Sequence, residues 1–177
     1  MNNKIDSNII AAAYDSVYEF NDICNQFNND LLDSINLSIS LCYEELVEVI
    51  DAFDELTTDS SDLTKAEEIE LTANLVKEVV DLRVVVDGLT QKIANAGLDI
   101  GTAILAVTEN NLSKMPETMP TSQEHWCNQH GWTVTYNDKY SRFTIKDING
   151  KTMKPYGYVK CTLGDIIHTS LLDAQNV

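Results

Sequence analysis

Four carboxylates stand out by type and spacing: Glu45-x-x-Glu48 and Glu78-x-x-Asp81. Residues three apart on a helix lie on one side, about a turn apart, so each pair would present two acids in one direction. Glu44 and Asp51 extend the acidic surface of the first pair. Leu46, Val49, Ile50 and Phe53 surround it, as Val79, Val80 and Leu82 surround the second. The acids therefore sit at the border of a core-facing stripe. Facing carboxylates repel one another and cost desolvation, and a bound cation removes much of that penalty. An all-carboxylate donor set suits Mg²⁺ or Mn²⁺ and does not suit structural zinc. A cation bridging two phosphoryl oxygens could offset developing charge and orient an attacking water. The competing reading is a solvated acidic face, since acids three or four apart are common in a chain with 28 acidic and 12 basic residues.

The elements that must position these acids are helical. Over residues 8–28, Ile9, Ile10, Ala13, Val17, Phe20, Cys24 and Phe27 recur at three- and four-residue steps. A second helix is expected over 31–57, with a broad apolar face of Leu31, Ile35, Leu37, Ile39, Leu41, Leu46, Val49, Ile50 and Phe53. A loop follows at 57–62, with Ser61 or Asp62 as the cap of the next helix. The third helix is expected over 64–96. Its Val84-Val85-Val86 run favours strand locally, but the flanking helical period is continuous. Gly97 reads as its stop and Asp99 as the cap of a fourth helix over 101–112. A four-helix-type bundle is the natural way to bury such stripes, which makes the fold class all-α.

Composition changes at Met115, and Pro116 and Pro120 end the helical region. The expected organisation is an all-α domain over 1–115 and a small β-containing extension over 116–177. Residues 132–136 and 142–146 read as short strands, with turn signals at Asn137-Asp138 and Asn149-Gly150. Residues 162–172 read as a short terminal helix.

Bulk properties bound the partners. A chain of 177 residues with 44% hydrophobic content can bury a core. Its net charge of -16 discourages contact with nucleic acid polymers or anionic membranes. A phosphate ligand would need metal ions or a local cluster of Lys and Arg. The four cysteines do not form a disulfide pattern, and Cys24 and Cys42 read as small buried hydrophobes. No signal peptide or membrane span is expected, so the expected setting is cytoplasmic.

The order of the motifs resembles the MazG-like and phosphoribosyl-ATP pyrophosphohydrolase superfamily of all-α nucleoside triphosphate pyrophosphatases. The pieces are Glu44-Glu45-Leu46-Val47-Glu48, then Lys77-Glu78-Val79-Val80-Asp81-Leu82, then Asn111-Leu112-Ser113-Lys114, over roughly residues 15–115. The resemblance implies that Glu45, Glu48, Glu78 and Asp81 form the catalytic, magnesium-binding set. It implies that Lys114 touches phosphate and that Asn111 contacts phosphate or nucleotide. Relatives cleave the α–β phosphoanhydride, releasing nucleoside monophosphate and pyrophosphate, and work as homodimers or homotetramers. The segment Asp147-Ile148-Asn149-Gly150-Lys151-Thr152-Met153-Lys154-Pro155-Tyr156-Gly157-Tyr158 is similar to the tail of phage-encoded members, which implies a phage or prophage origin and a host cytoplasm.

Read physically, that tail is a β-hairpin carrying Lys151, Lys154 and Tyr158. With Lys139, Arg142 and Lys146 it is the most basic region of the chain. It could neutralise phosphate, or only seal the bundle or a dimer. His125, Cys127, His130, Cys161 and His168 have a weak zinc-type spacing. Trp126 and Trp132 read as packing residues. The expected activity is Mg²⁺-dependent hydrolysis of (deoxy)nucleoside triphosphates. The alternatives are phosphoribosyl-ATP or signalling-nucleotide hydrolysis, and a non-catalytic nucleotide-binding or protein-interaction module.

Overall fold

A computed structural model describes residues 5–27, 30–58 and 63–175. Six helices and one hairpin follow in the order α1 (Ser7–Ile23), α2 (Leu31–Thr58), α3 (Lys65–Asn95), α4 (Ile100–Leu112), α5 (Thr121–Gln129), β1 (Thr133–Asn137), β2 (Arg142–Lys146) and α6 (Gly164–Gln175). The chain is thus helical with a small antiparallel hairpin near its C-terminus. Contacts group it into two compact units, Met1–Leu98 and Asp99–Val177. The change of composition at Met115 falls inside the second unit.

In the first unit, local chemistry sets the helix ends. Asp6 caps α1 by accepting from the Asn8 amide. That helix is shorter than its apolar stripe suggests, because Asn25 takes a left-handed φ of 55°. Asp30 caps α2 by accepting from the Leu32 amide at 2.9 Å. The expected caps of α3, Ser61 and Asp62, lie outside the described residues. Thr64 holds that position, in a capping box with Glu67. Gly97, at φ 84°, ends the run after α3 as expected.

Helices α2 and α3 form the main packed pair, and α1 packs on α3. The pair is antiparallel: Ser38 meets Lys92, while Glu45 meets Glu78 and Asp81. Gly88 is buried where α1 approaches, and a Cβ there would stand 3.2 Å from the Asn21 amide nitrogen. Asn21 in turn donates to Gln91, and Gln91 donates to the Tyr14 carbonyl at 2.7 Å, tying α1 to α3.

The seam differs from the expected apolar core. The buried residues of α2 are Ser34, Ser38 and Ala52, whereas Leu37, Ile39, Leu46, Ile50 and Phe53 are exposed. Small residues allow the backbones to approach closely, so the large apolar ones face outward. Glu45 falls on the small-residue row, seven positions after Ser38 and seven before Ala52. Periodicity marks an apolar stripe but does not say which row meets the neighbouring helix.

In the second unit, Asp99 caps α4 by accepting from the Thr102 amide, as expected. β1 and β2 pair with Val134 opposite Ile145. Ile145 and Cys127 are fully buried. The Pro116 carbonyl accepts from the Phe143 amide at 2.8 Å, anchoring the strand to the segment after α4. Helix α5 was not expected; it begins directly after Pro120. Lys151, Lys154 and Tyr158 are not on a hairpin as expected. They lie on the segment after β2, joined to it by a bridge between Lys146 and Thr152 and by the Met153 amide donating to the Ile145 carbonyl. The Asp147 carboxylate accepts from the Asn149 and Lys151 amides, closing the local turn that leads into this bridge. Among the described residues, no helix is long and apolar enough to cross a membrane.

Candidate metal centre

Glu45 of α2 and Glu78 and Asp81 of α3 converge. One carboxylate oxygen from each lies within 4.8 Å of the others. Glu78 is only 8% exposed, and Glu45 and Asp81 are half-buried. Two of the three thus come from the second motif, and one from the first. Glu48 is exposed and lies outside this trio. Its carboxyl is nonetheless held above its ordinary value, first by partial desolvation, then by the charge of Glu45, and by hydrogen bonding and charge from Glu78.

The cation demand of this cluster is already visible. The Lys77 ammonium donates to Glu78 at 3.0 Å and to Asp81 at 2.9 Å. Those two carboxylates, Asp81 foremost, raise the Lys77 pKa. The i,i+4 relation of Lys77 to Asp81 is the sequence signal for such a pair. A metal that drew both acids inward would displace this ammonium. Lys77→Met is therefore expected to tighten Mg²⁺ binding by roughly two- to five-fold, the scale of an exposed ion pair. Isothermal titration with Mg²⁺ checks this, and unchanged or weaker affinity contradicts it.

The donor set fits the expected ion. Three carboxylate oxygens are close enough for one small cation, and none of the donors is a thiolate or imidazole. Crowding also makes a pH prediction. Glu48 binds its proton more tightly in the fold than its ordinary value of 4.5 implies. Its contribution to metal-free stability is therefore present below about pH 4.5 and is lost as pH rises through the raised value. Glu67 and Asp99 act in the opposite sense: hydrogen bonds from Thr64 and Thr102 lower them, so their contributions are lost on acidification. Without metal, Glu48→Gln should become progressively more stable than the parent as pH rises from 4 to 7. Urea melts across that range provide the test; a gap that stays constant contradicts the expectation.

The remaining candidate residues belong to the second unit. Lys114 donates to Asn111 at 2.6 Å, so these two motif residues do meet. Lys154 stands 5.3 Å from the centre of the Tyr158 ring. The Tyr158 hydroxyl donates to Asn110, whose amide donates to the Val159 carbonyl. Lys151 lines a cleft of about 330 Å³ with Trp126, Trp132, Thr152, Met153 and Lys154. Arg142 is already engaged by the Met115 carbonyl and by Glu117. Trp126 and Trp132 meet edge to face at 4.8 Å, which agrees with a packing role.

The zinc-type spacing does not close into a site. Among the described residues, the acidic trio is the grouping of three with metal-ligand geometry. His130 instead pairs with the Trp126 carbonyl, and buried Cys127 accepts from Gln123. Cys24, expected to be buried, is exposed, because α1 ends at Ile23. Comparison with protein families, curated proteins and solved structures finds no match for this chain.

Proposed function

We propose that this protein is a Mg²⁺-dependent pyrophosphohydrolase of (deoxy)nucleoside triphosphates, of the MazG-like kind. The observation that carries the reading is the meeting of Glu45, Glu78 and Asp81, drawn from the two separate acidic motifs, around a buried carboxylate. Exposed Glu48 completes the set by turning its side chain toward Glu78. When bound, Mg²⁺ would neutralise phosphoryl charge and lower the cost of forming a hydroxide nucleophile. Glu45 is the chain's candidate proton acceptor, being half-buried and beside two other acids. The Asn111–Lys114 pair supplies an amide and an ammonium for phosphate. Lys151, Lys154 and Tyr158 are further candidates for phosphate contact.

Homo-oligomerisation, as a dimer or tetramer, is part of this reading. Leu37, Leu46, Ile50 and Phe53 on α2 and Val76, Val79 and Val80 on α3 are all exposed, which a single copy leaves in water. A cytoplasmic setting, in the host if the gene is carried by phage, accords with Mg²⁺ and nucleotide supply.

A panel of deoxy- and ribonucleoside triphosphates, phosphoribosyl-ATP and signalling nucleotides, incubated with Mg²⁺, tests the substrate class. Turnover confined to triphosphates supports the reading. Turnover confined to phosphoribosyl-ATP or a signalling nucleotide replaces the substrate, and binding of nucleotide without turnover makes the protein a nucleotide-binding module.

A further inference from the structure

The opposite end of the α2–α3 seam carries the reverse chemistry. Lys92 lies eleven residues beyond Asp81, so the two are separated by about 16 Å along α3. It is only 7% exposed. Its ammonium donates to Ser38 at 3.1 Å, and among the described residues no carboxylate forms an ion pair with it. Ser34, one turn before Ser38, is 4% exposed, and its hydroxyl has no hydrogen-bond partner among the described residues. Ser34 and Lys92 both line a cavity of about 170 Å³, together with Gln26, Phe27, Leu31 and Asn95 among others.

A buried ammonium without a counter-charge is costly, and so is a buried hydroxyl without a partner. The burial of Lys92 pushes its pKa down. One kind of ligand relieves both costs. Lys92, which spends one proton on Ser38, offers spare ones, and Ser34 offers a free hydroxyl at the same cavity. Gln26 and Asn95 also line the space. The Asp30 carboxylate, which would oppose an anion, is turned onto the Leu32 and Asp33 amides. A neutral ligand would not compensate the charge. The cavity is also below the roughly 300–1,000 Å³ that holds cofactor-sized ligands.

We propose that the space bounded by Lys92, Ser34 and Asn95 is a binding site for a small tetrahedral oxyanion of the phosphate class. The site does not depend on the metal centre. Its sources are free inorganic phosphate or the phosphoryl end of a monophosphate, and the cavity size favours the free ion.

Thermal melts and calorimetric titrations of the full chain test this with inorganic phosphate and a nucleoside monophosphate, without divalent metal. Sodium chloride at matched ionic strength is the control. Phosphate should bind once per chain and raise Tm by about 2–8 °C near saturation. The monophosphate should bind more weakly; tighter binding would assign the site to a phosphoryl end and keep the class. Lys92→Met should abolish the response, and Ser34→Ala should weaken it by roughly tenfold. If Lys92→Met does not fold, Ser34→Ala alone decides. No response beyond the chloride control overturns the proposal. So does a response that survives in Lys92→Met, or in Ser34→Ala at parental affinity, since the anion then binds elsewhere.

Discussion

Glu78→Gln is expected to lower Mg²⁺-dependent nucleotide turnover by at least about 10²-fold, because a metal that stabilises transition-state charge contributes several kcal/mol. Glu78 is the buried member of the trio and touches Lys77 as well. Glutamine keeps the shape and removes the charge, so helicity should persist. Asp81→Asn is expected to match it, since Asp81 supplies the second oxygen from α3. The check is kcat at saturating Mg²⁺ beside far-ultraviolet circular dichroism. Full activity in either variant removes that residue from the metal site. Loss of helicity along with activity would instead make the residue structural.

Ile145→Ala should have the largest effect on stability. Ile145 is fully buried, sits opposite Val134 in the hairpin, and accepts from the Met153 amide through its carbonyl. Truncating a buried isoleucine to alanine costs about 2–5 kcal/mol through lost transfer energy and the cavity left behind. For a unit of this size that is a fall in midpoint on the order of 10 °C or more. Trp126 and Trp132 are the only tryptophans and both belong to the second unit, so their fluorescence reports its melting selectively. Ile145→Val should cost only about 0.5–1.5 kcal/mol. An unchanged tryptophan midpoint in Ile145→Ala would show that Ile145 is not the core of this unit.

Much of the fold is legible in the residues. The apolar periods place α1 to α4, Asp99 and Gly97 mark ends that the structure keeps, and the two strands fall within a residue of their expected places. The nine residues of α5 are illegible because Thr121-Ser122-Gln123-Glu124 has no apolar row and no side chain caps the helix; Pro120 at its N-cap is the one local signal at its start. Two lysines were passed over for a different reason. Lys77 and Lys92 look like solvated charges in one dimension, and only the antiparallel pairing sets one on the acids and buries the other against Ser38. Three of the four carboxylates met as their spacing suggested. Glu48 remains at the rim: the small-residue row of α2 that meets α3 runs through Ser38, Glu45 and Ala52 and leaves Glu48 exposed beside it.

The central claim is tested most directly by the identity of the products. The intact chain would be incubated with a deoxynucleoside triphosphate and followed by phosphorus NMR, with Mg²⁺ and then with a chelator. Nucleoside monophosphate and pyrophosphate should appear in equal amounts, only with metal present. Diphosphate and inorganic phosphate, or no turnover of any triphosphate by folded protein, would contradict it.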